Sequence, residues 1–133
     1  MFTNGCFDVL HRGHVTYLAQ ARALGASLVI GVNSDASVKR QGKGDDRPIN
    51  QQNDRLAVLA ALESVSLVVL FDEDTPINLI LACKPDVLVK GGDWKPENIV
   101  GSKEVLAWGG SVHSIPFLHE RSTTALLKKI RSL

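Results

Sequence analysis

The sequence predicts an α/β fold in which helices cover both faces of a parallel β-sheet. Two continuous apolar runs, Ser27 to Asn33 and Ser66 to Phe71, have the length of strands that are buried on both faces. Segments with helical spacing separate such runs, and this alternation implies right-handed crossovers between parallel strands. The chain has 133 residues and no repeat, low-complexity tract or linker. We therefore expect one domain over residues 1–133.

The first strand–helix unit lies at the amino terminus. A strand runs through Thr3 and ends in a turn at Gly5. The helix that follows is indicated by apolar residues at helical spacing and ends at Gly25. Those residues are Tyr17, Leu18, Ala21 and Leu24. A central strand usually has about five residues, so we expect that further residues precede Met1.

The later elements follow from caps, prolines and apolar runs. We expect Asn50 to cap a helix whose core face includes Leu56, Leu59 and Ala60, and we expect a basic loop over Val38 to Asn50. Thr75-Pro76 begins the next helix, which ends at Pro85. The remaining predictions are strands over Asp86 to Lys90 and Ser111 to Pro116, and helices over Ser102 to Trp108 and Thr124 to Arg131.

Composition and charge exclude several classes of protein. The formal net charge of +1 gives no support to a nucleic-acid-coating role. The longest apolar runs, such as Leu67 to Phe71, are too short to cross a bilayer, and no leader precedes Thr3. Two cysteines, Cys6 and Cys83, make neither a disulfide framework nor a metal cluster. We expect a cytoplasmic protein that binds neither nucleic acid nor membrane.

The stretch from Thr3 to His14 predicts a site for phosphate groups. A strand–glycine–helix passage combines unpaired backbone N–H groups with the positive end of a helix dipole. His11 and His14 flank Gly13, so both imidazoles and the backbone can approach one ligand. An arbitrary His-x-x-His pair more often binds metal, caps a helix or is exposed. The stretch is neither a Walker loop nor a dinucleotide fingerprint, and we hypothesise that it binds a nucleoside triphosphate.

The full string Gly5-x-Phe7-Asp8-x-x-His11-x-Gly13-His14 resembles the signature of the nucleotidyltransferase superfamily of small cytidylyltransferases and adenylyltransferases. The resemblance implies a Rossmann-like, doubly wound sheet of about five strands in the order 3-2-1-4-5. Ligands of such sheets lie beyond the carboxyl ends of the strands, at the switch point. The turn at Gly5, the segment Gly91-Gly92-Asp93 and the helix start at Ser122 should therefore face one crevice.

The expected reaction is attack by a substrate phosphate on the α-phosphate of the nucleotide. This reaction requires that the two reactants are aligned and that the charge on the phosphate oxygens is neutralised. Our catalytic candidates for these tasks are His11, His14 and Lys43. Cys6 and Phe7 would bind the nucleotide through their backbone. The alternatives are a plain core residue for Phe7 and a small buried residue for Cys6.

The basic loop supplies a second group of candidates. Lys39 and Arg47 could bind a phosphate of the substrate, although charge runs are usually solvated faces. Asp8 could orient an imidazole or Arg12 at the substrate site, or it could simply stabilise the turn. Arg55, at the start of its helix, could pair with a carboxylate and stabilise only the fold. No residue is predicted to bind a metal directly.

Two further segments resemble parts of superfamily sites. Gly91-Gly92-Asp93-Trp94 resembles the segment that embraces the base and ribose, with Trp94 available to the acceptor substrate; the alternative is an ordinary turn. Arg121-Ser122-Thr123-Thr124 resembles the second signature, which would offer donors to the β- and γ-phosphates. Its alternative is a simple helix cap. His113 shows no clear pattern, and His119 is near enough to Arg121 to border the site.

Within the superfamily the sequence is most similar to adenylyltransferases that act on D-glycero-β-D-manno-heptose 1-phosphate. The motifs that carry this similarity include Asn33-Ser34-Asp35, Arg47-Pro48 and Lys90-Gly91-Gly92-Asp93-Trp94. The resemblance implies ATP with Mg²⁺, the products ADP-heptose and pyrophosphate, a role in lipopolysaccharide core or surface-sugar precursors, and a homodimer. The alternatives are a glycerol 3-phosphate cytidylyltransferase that uses CTP and a non-catalytic nucleotide-binding module.

Overall fold

A computed structural model of the chain describes residues 1–118 and 122–133. The predicted roles of His119 and Arg121 therefore lie outside the described residues. The five strands are β1 (Phe2–Gly5), β2 (Val29–Asn33), β3 (Leu67–Phe71), β4 (Val87–Gly91) and β5 (Ser111–Ile115). The helices are α1 (Arg12–Arg22), α2 (Asp35–Arg40), α3 (Gln52–Ala60), α4 (Ile77–Cys83), α5 (Ser102–Ala107) and α6 (Thr123–Arg131), with a short 3-10 helix at Pro96–Asn98.

The strands form one parallel sheet in the order β3-β2-β1-β4-β5. The predicted fold class and strand order are thus confirmed. All four residues of β1 pair with β2, whereas the pairing of β1 with β4 covers only Phe2 and Leu88. The two central strands separate beyond Phe2, toward their carboxyl ends. This separation opens the crevice at the switch point where ligands of such sheets bind.

Apolar clusters cover both faces of the sheet. One contains Leu18 of α1, Ile30 of β2 and Leu59 of α3, and the other contains Ile80 of α4 and Val105 of α5. The neighbouring residues Leu88 and Val89 belong to opposite clusters, and each is only 1% exposed. Successive side chains of a strand point to opposite faces, so a strand buried on both faces reads as a continuous apolar run.

Two predicted elements are wrong in detail. The segment Val38 to Arg40 is not a loop but the end of α2, whose N-cap Ser34 accepts from the Ser37 N–H at 3.1 Å. Asn50 does not cap α3, because the cap position is Gln51. The Asn50 side chain instead donates to the backbone oxygen of Asp8 at 2.7 Å. Among the described helices, none combines the length and the apolar character that crossing a membrane requires.

Candidate active site

A first cavity of about 300 Å³ lies at the carboxyl ends of the central strands. Of the three segments predicted to face one crevice, the turn after β1 and the start of α6 line it, but the segment Gly91-Gly92-Asp93 contributes only Gly91. The loop after α2 lines it as well. The predicted residues that it brings together are Cys6, Phe7, Asp8, His11, His14, Lys43, Arg47, Gly91, Ser122 and Thr123. The cavity therefore combines the two histidines, two basic side chains and a helix start, which are the groups that a triphosphate site requires.

Other predicted residues lie elsewhere. Gly92 and Asp93 line neither this cavity nor the one beside it, and Lys39 is exposed on α2 away from both. The prediction that Lys39 belongs to a loop is thus wrong, because the residue lies in the last turn of α2. Its role in binding a substrate phosphate stays a prediction. Trp94 lines the neighbouring cavity and not the first one.

The two histidines form the N-terminal cap of α1. The His11 Nδ1 accepts from the Gly13 N–H at 3.1 Å, and the His14 Nδ1 accepts from the His11 N–H at 3.4 Å. Their rings are stacked, with centroids 3.8 Å apart. A neutral imidazole that accepts at Nδ1 carries its proton on Nε2. The caps therefore fix both rings as Nε2–H donors beside the cavity.

His14 is a neutral donor at physiological pH. Burial above all, together with the electrostatic effects of His11 and Lys43, lowers its pKa to about 4. An imidazole with this pKa does not take up a proton near pH 7. The arrangement suits a reaction that needs hydrogen bonds to phosphate oxygens and no transfer of a proton.

The backbone turn that carries the cavity floor is held tightly. Phe7 has a φ of 49°, and a Cβ added to Gly5 would lie 2.9 Å from Phe7 Cε2. Phe7 is 7% exposed and belongs to the core cluster, so its side chain is a plain core residue, which was the alternative interpretation.

Arg55 pairs with the Asp35 carboxylate at 2.8 Å, as the sequence suggested, and also donates to the backbone oxygen of Cys6 at 2.8 Å.

Asp8 anchors the basic loop. Its carboxylate accepts from Arg47 Nε at 2.7 Å and from the N–H groups of Ile49 and Asn50 at 2.9 Å each. Burial alone would raise the pKa of Asp8, but these hydrogen bonds and the Arg47 charge outweigh it and lower the pKa. Both oxygens of Asp8 thus hold the loop, which is the stabilising role given as the alternative, while its predicted role at the substrate site stays a prediction.

The start of α6 meets the same cavity. Ser122 is the N-cap and accepts from the Ala125 N–H at 3.0 Å, which is the capping role weighed as the alternative. The Thr123 hydroxyl donates to the backbone oxygen of Val9 at 3.1 Å and so ties this helix to the first turn. Arg47 Nη1 reaches the Thr124 hydroxyl at 3.4 Å. The amino end of a nine-residue helix thus borders the cavity.

Sequence reasoning did not assign roles to Lys90 and Phe117. Lys90 follows the buried part of β4, and this position at the carboxyl end of a central strand is the signal that could have identified it. Burial lowers the pKa of its ammonium group. Phe117, 45% exposed, lies against Gly91, where an added Cβ would be 2.9 Å from its ring. Both residues line the first cavity.

Comparison with known proteins identifies relatives over nearly the whole chain. A sequence model described as cytidylyltransferase-like matches residues 2–125. The D-β-D-heptose 1-phosphate adenylyltransferase of Bordetella bronchiseptica is 59% identical over 131 residues, which are 98% of this chain and 81% of that protein. The bifunctional protein HldE of Cronobacter sakazakii is also 59% identical, but the chain spans only 27% of its length.

A solved structure is similar as well. The crystal structure of the lipopolysaccharide core biosynthesis protein from Thermoplasma volcanium GSS1 superimposes with a TM-score of 0.71 at 28% sequence identity. The similarity covers 90% of this chain and 96% of that one.

Proposed function

Because the chain belongs to the cytidylyltransferase-like family, we propose that it transfers the adenylyl group of ATP to D-glycero-β-D-manno-heptose 1-phosphate. The products are ADP-heptose and pyrophosphate, and ADP-heptose is a precursor for the lipopolysaccharide core or related surface sugars. The observation that carries this proposal is the 59% identity, over 98% of the chain, to an enzyme named for the same reaction.

In the proposed reaction, an oxygen of the sugar phosphate attacks the α-phosphorus of ATP. A bond forms between them, the bond from the α-phosphorus to the bridging oxygen breaks, and pyrophosphate leaves with the electron pair. The attacking phosphate is already ionised at neutral pH, so no base is required. This agrees with a His14 pKa of about 4, since the residue acts as a donor and not as a base.

The residues of the first cavity have distinct tasks. The Nε2–H groups of His11 and His14 stabilise the charge that grows on the α-phosphate oxygens. Lys43 adds a positive charge from the loop, and the amino end of α6 holds the leaving β- and γ-phosphates. Phe117, half exposed beside Gly91, offers an aromatic face to the adenine ring.

Magnesium fits this site as an ion that arrives with ATP. Within residues 1–118 and 122–133, no group of three or more His, Cys, Asp or Glu side chains could hold a metal. The one carboxylate among the described lining residues is Asp8, whose oxygens are bound by the fold. Mg²⁺ commonly binds substrate phosphates and keeps several waters. Bound in that way, it would neutralise part of the triphosphate charge.

The alternatives from the sequence are not favoured. A cytidylyltransferase acting on glycerol 3-phosphate would not explain the 59% identity to a heptose 1-phosphate adenylyltransferase. A non-catalytic module would be expected to lose a signature histidine or the basic loop, and both His11 and His14 line the cavity with Lys43. We also propose a cytoplasmic location, where ATP is available, and a homodimer, since two-fold dimers are the commonest of the soluble oligomers.

The test is a pyrophosphate-release assay with heptose 1-phosphate and glycerol 3-phosphate, each supplied with ATP and with CTP. We expect release only with heptose 1-phosphate and ATP, together with formation of ADP-heptose. Turnover only with CTP would overturn the heptose assignment. No turnover with any of the four pairs would favour the non-catalytic module.

A further inference from the structure

Arg55 has a fully buried side chain, yet it lines neither the first cavity nor the one beside it. Its guanidinium group donates to oxygen atoms of four separate segments. Nε donates to the backbone oxygen of Asn50 at 3.0 Å, and Nη2 donates to the Asp35 carboxylate at 2.8 Å. Nη1 donates to the backbone oxygens of Cys6 and Asn33, each at 2.8 Å. The carboxylate pairing that the sequence suggested is thus only one of four hydrogen bonds.

The Asn33 oxygen is the acceptor that a longer β1–β2 ladder would use next. The N–H of Val29 donates to the Met1 oxygen, and every second residue of a strand faces the same neighbouring strand. The odd-numbered residues of this segment therefore face β2, so a continued ladder would join the Phe7 N–H to the Asn33 oxygen. In the structure that oxygen accepts from Arg55, and no acceptor within residues 1–118 and 122–133 takes the Phe7 N–H.

The peptide between Cys6 and Phe7 is turned over relative to this ladder. In a continued strand the Cys6 oxygen would face β4, but it meets the same guanidinium nitrogen as the Asn33 oxygen and so faces β2. The C=O and N–H of a trans peptide point in opposite directions, so the Phe7 N–H faces β4. On that side β1 and β4 separate, and the first cavity lies there, lined by Phe7 and by Lys90 of β4.

The turned peptide is a strained arrangement that Arg55 stabilises. The Phe7 φ of 49° is in the left-handed region, which is unfavourable for a residue with a Cβ. The Phe7 N–H has also given up its place in the ladder. A charged guanidinium donor makes a stronger hydrogen bond to a carbonyl than the neutral amide that it replaces. Strain that the surrounding contacts maintain in this way is typical of functional sites.

We propose that Arg55 is a positioning residue: it holds the Cys6–Phe7 peptide turned over, so that the Phe7 N–H donates to a phosphate oxygen of the nucleotide in the first cavity. This inference rests on the proposed transferase function and adds to it a residue that does not touch the substrates. The free amide joins the Nε2–H groups of His11 and His14 as a third neutral donor. None of the three has to transfer a proton.

The first test uses the wild type and NMR detection of hydrogen exchange. Without nucleotide, the Phe7 amide should exchange at least about 10² times faster than the Thr3 amide, which is buried and belongs to the ladder. A non-hydrolysable ATP analogue with Mg²⁺ should slow exchange at Phe7 and move its amide proton resonance downfield, because the amide then donates to a phosphate. A Phe7 amide as protected as that of Thr3, or one that the bound analogue leaves unchanged, would overturn the proposal.

The second test compares Arg55→Lys with Asp35→Asn as its matched control. Lysine has a single donor nitrogen in place of the planar fork, so it cannot reproduce the contacts with Cys6 and Asn33. The peptide should return to the ladder, the Phe7 amide should become protected, and the Kd for the ATP analogue should rise about tenfold or more. Asp35 lines neither cavity, and Asp35→Asn leaves both carbonyl contacts in place. It should lower stability while the Kd stays within about threefold of the wild type.

The outcomes separate positioning from folding and from the transferase function. Partial unfolding lowers the number of binding sites in a calorimetric titration but not the affinity of those that remain. A Kd in Arg55→Lys no higher than in Asp35→Asn would contradict the positioning role, and if Arg55→Lys cannot be purified, the wild-type amide measurements decide. If the Phe7 amide responds to the analogue but no pyrophosphate is released from ATP with heptose 1-phosphate, the transferase function fails and the phosphate-binding role stands. If pyrophosphate is released and the amide does not respond, only the role of Arg55 fails.

Discussion

The substitution Asp8→Asn should strongly destabilise the protein although it preserves the shape of the side chain. Asp8 and Arg47 form an ion pair at 2.7 Å with side-chain exposures of 1% and 6%. In the wild type, one carboxylate oxygen accepts from Arg47 and from Ile49, and the other accepts from Asn50. An asparagine can supply only one of these two acceptor oxygens.

The magnitude follows from these contacts. The least costly orientation places the new NH₂ group against the Asn50 N–H, which loses one buried hydrogen bond at about 1–3 kcal/mol. The Arg47 guanidinium also loses its counter-charge in a buried place. Breaking a buried pair in this way costs about 3–5 kcal/mol in total, against a free energy of unfolding of about 5–15 kcal/mol for a typical domain.

The assay is urea denaturation at pH 7, followed by circular dichroism. The matched control is Asp46→Asn, because Asp46 pairs with Arg131 at the surface, where the side chains are 52% and 58% exposed. An exposed pair of this kind should contribute less than about 1 kcal/mol. A loss in Asp8→Asn as small as that in Asp46→Asn would refute the argument that the buried pair anchors the loop. If Asp8→Asn is too unstable to purify, Arg47→Lys provides a milder perturbation of the same pair.

Three more predictions concern the turn and its histidines. His14→Ala should lower turnover by a factor of about 10² or more while ATP still binds, whereas His113→Ala, which lines neither cavity, should match the wild type in the same assay. In the free protein, NMR titration should give His14 a pKa of about 4. Because the unfolded chain takes up this proton at about pH 6.5, the free energy of unfolding should fall as the pH is lowered from 6.5 toward 4; a pKa near 6.5 would contradict the burial argument. Gly5→Ala should lower the free energy of unfolding by about 1–3 kcal/mol through contact with Phe7, and an unchanged urea midpoint would contradict it.

The strands were predictable because their signal is local. A strand covered on both faces must be apolar along its length. The apolar run from Leu67 to Phe71 shows this pattern and forms β3. At the second helix the charges of Lys39 and Arg40 predict a basic loop, whereas the structure has the end of α2 there. The same two residues occupy the last turn of α2, where positive charges favour the helix dipole. The cap signal at Ser34 was the better indicator.

The residues of the site were predictable only where they belong to a recognisable sequence motif. His11 and His14 stand in a recognisable string, and the structure places both at the first cavity. The partnership of Asp8 with Arg47 joins residues 39 positions apart, and no local pattern reports it. The position of Lys90 at the cavity depends on the separation of β1 from β4. That separation is a property of the assembled sheet and not of any one segment. Contacts of this kind require the tertiary structure.

The first cavity and the cavity beside it share one wall, formed by Asn4 to Cys6 together with Lys43 and Lys90, and this wall bears on how the protein could be blocked. No β-strand pairing closes the gap between β1 and β4 beyond Phe2, so one elongated molecule could extend from the first cavity into the second. Once one arm of such a molecule is bound, the other is held at high effective concentration near its own cavity, and the linked compound should bind far more tightly than either arm alone. A nucleotide arm tethered to a second arm that fills the neighbouring cavity would therefore make a selective inhibitor, because nucleotide-binding proteins that lack this cavity would bind only the nucleotide arm.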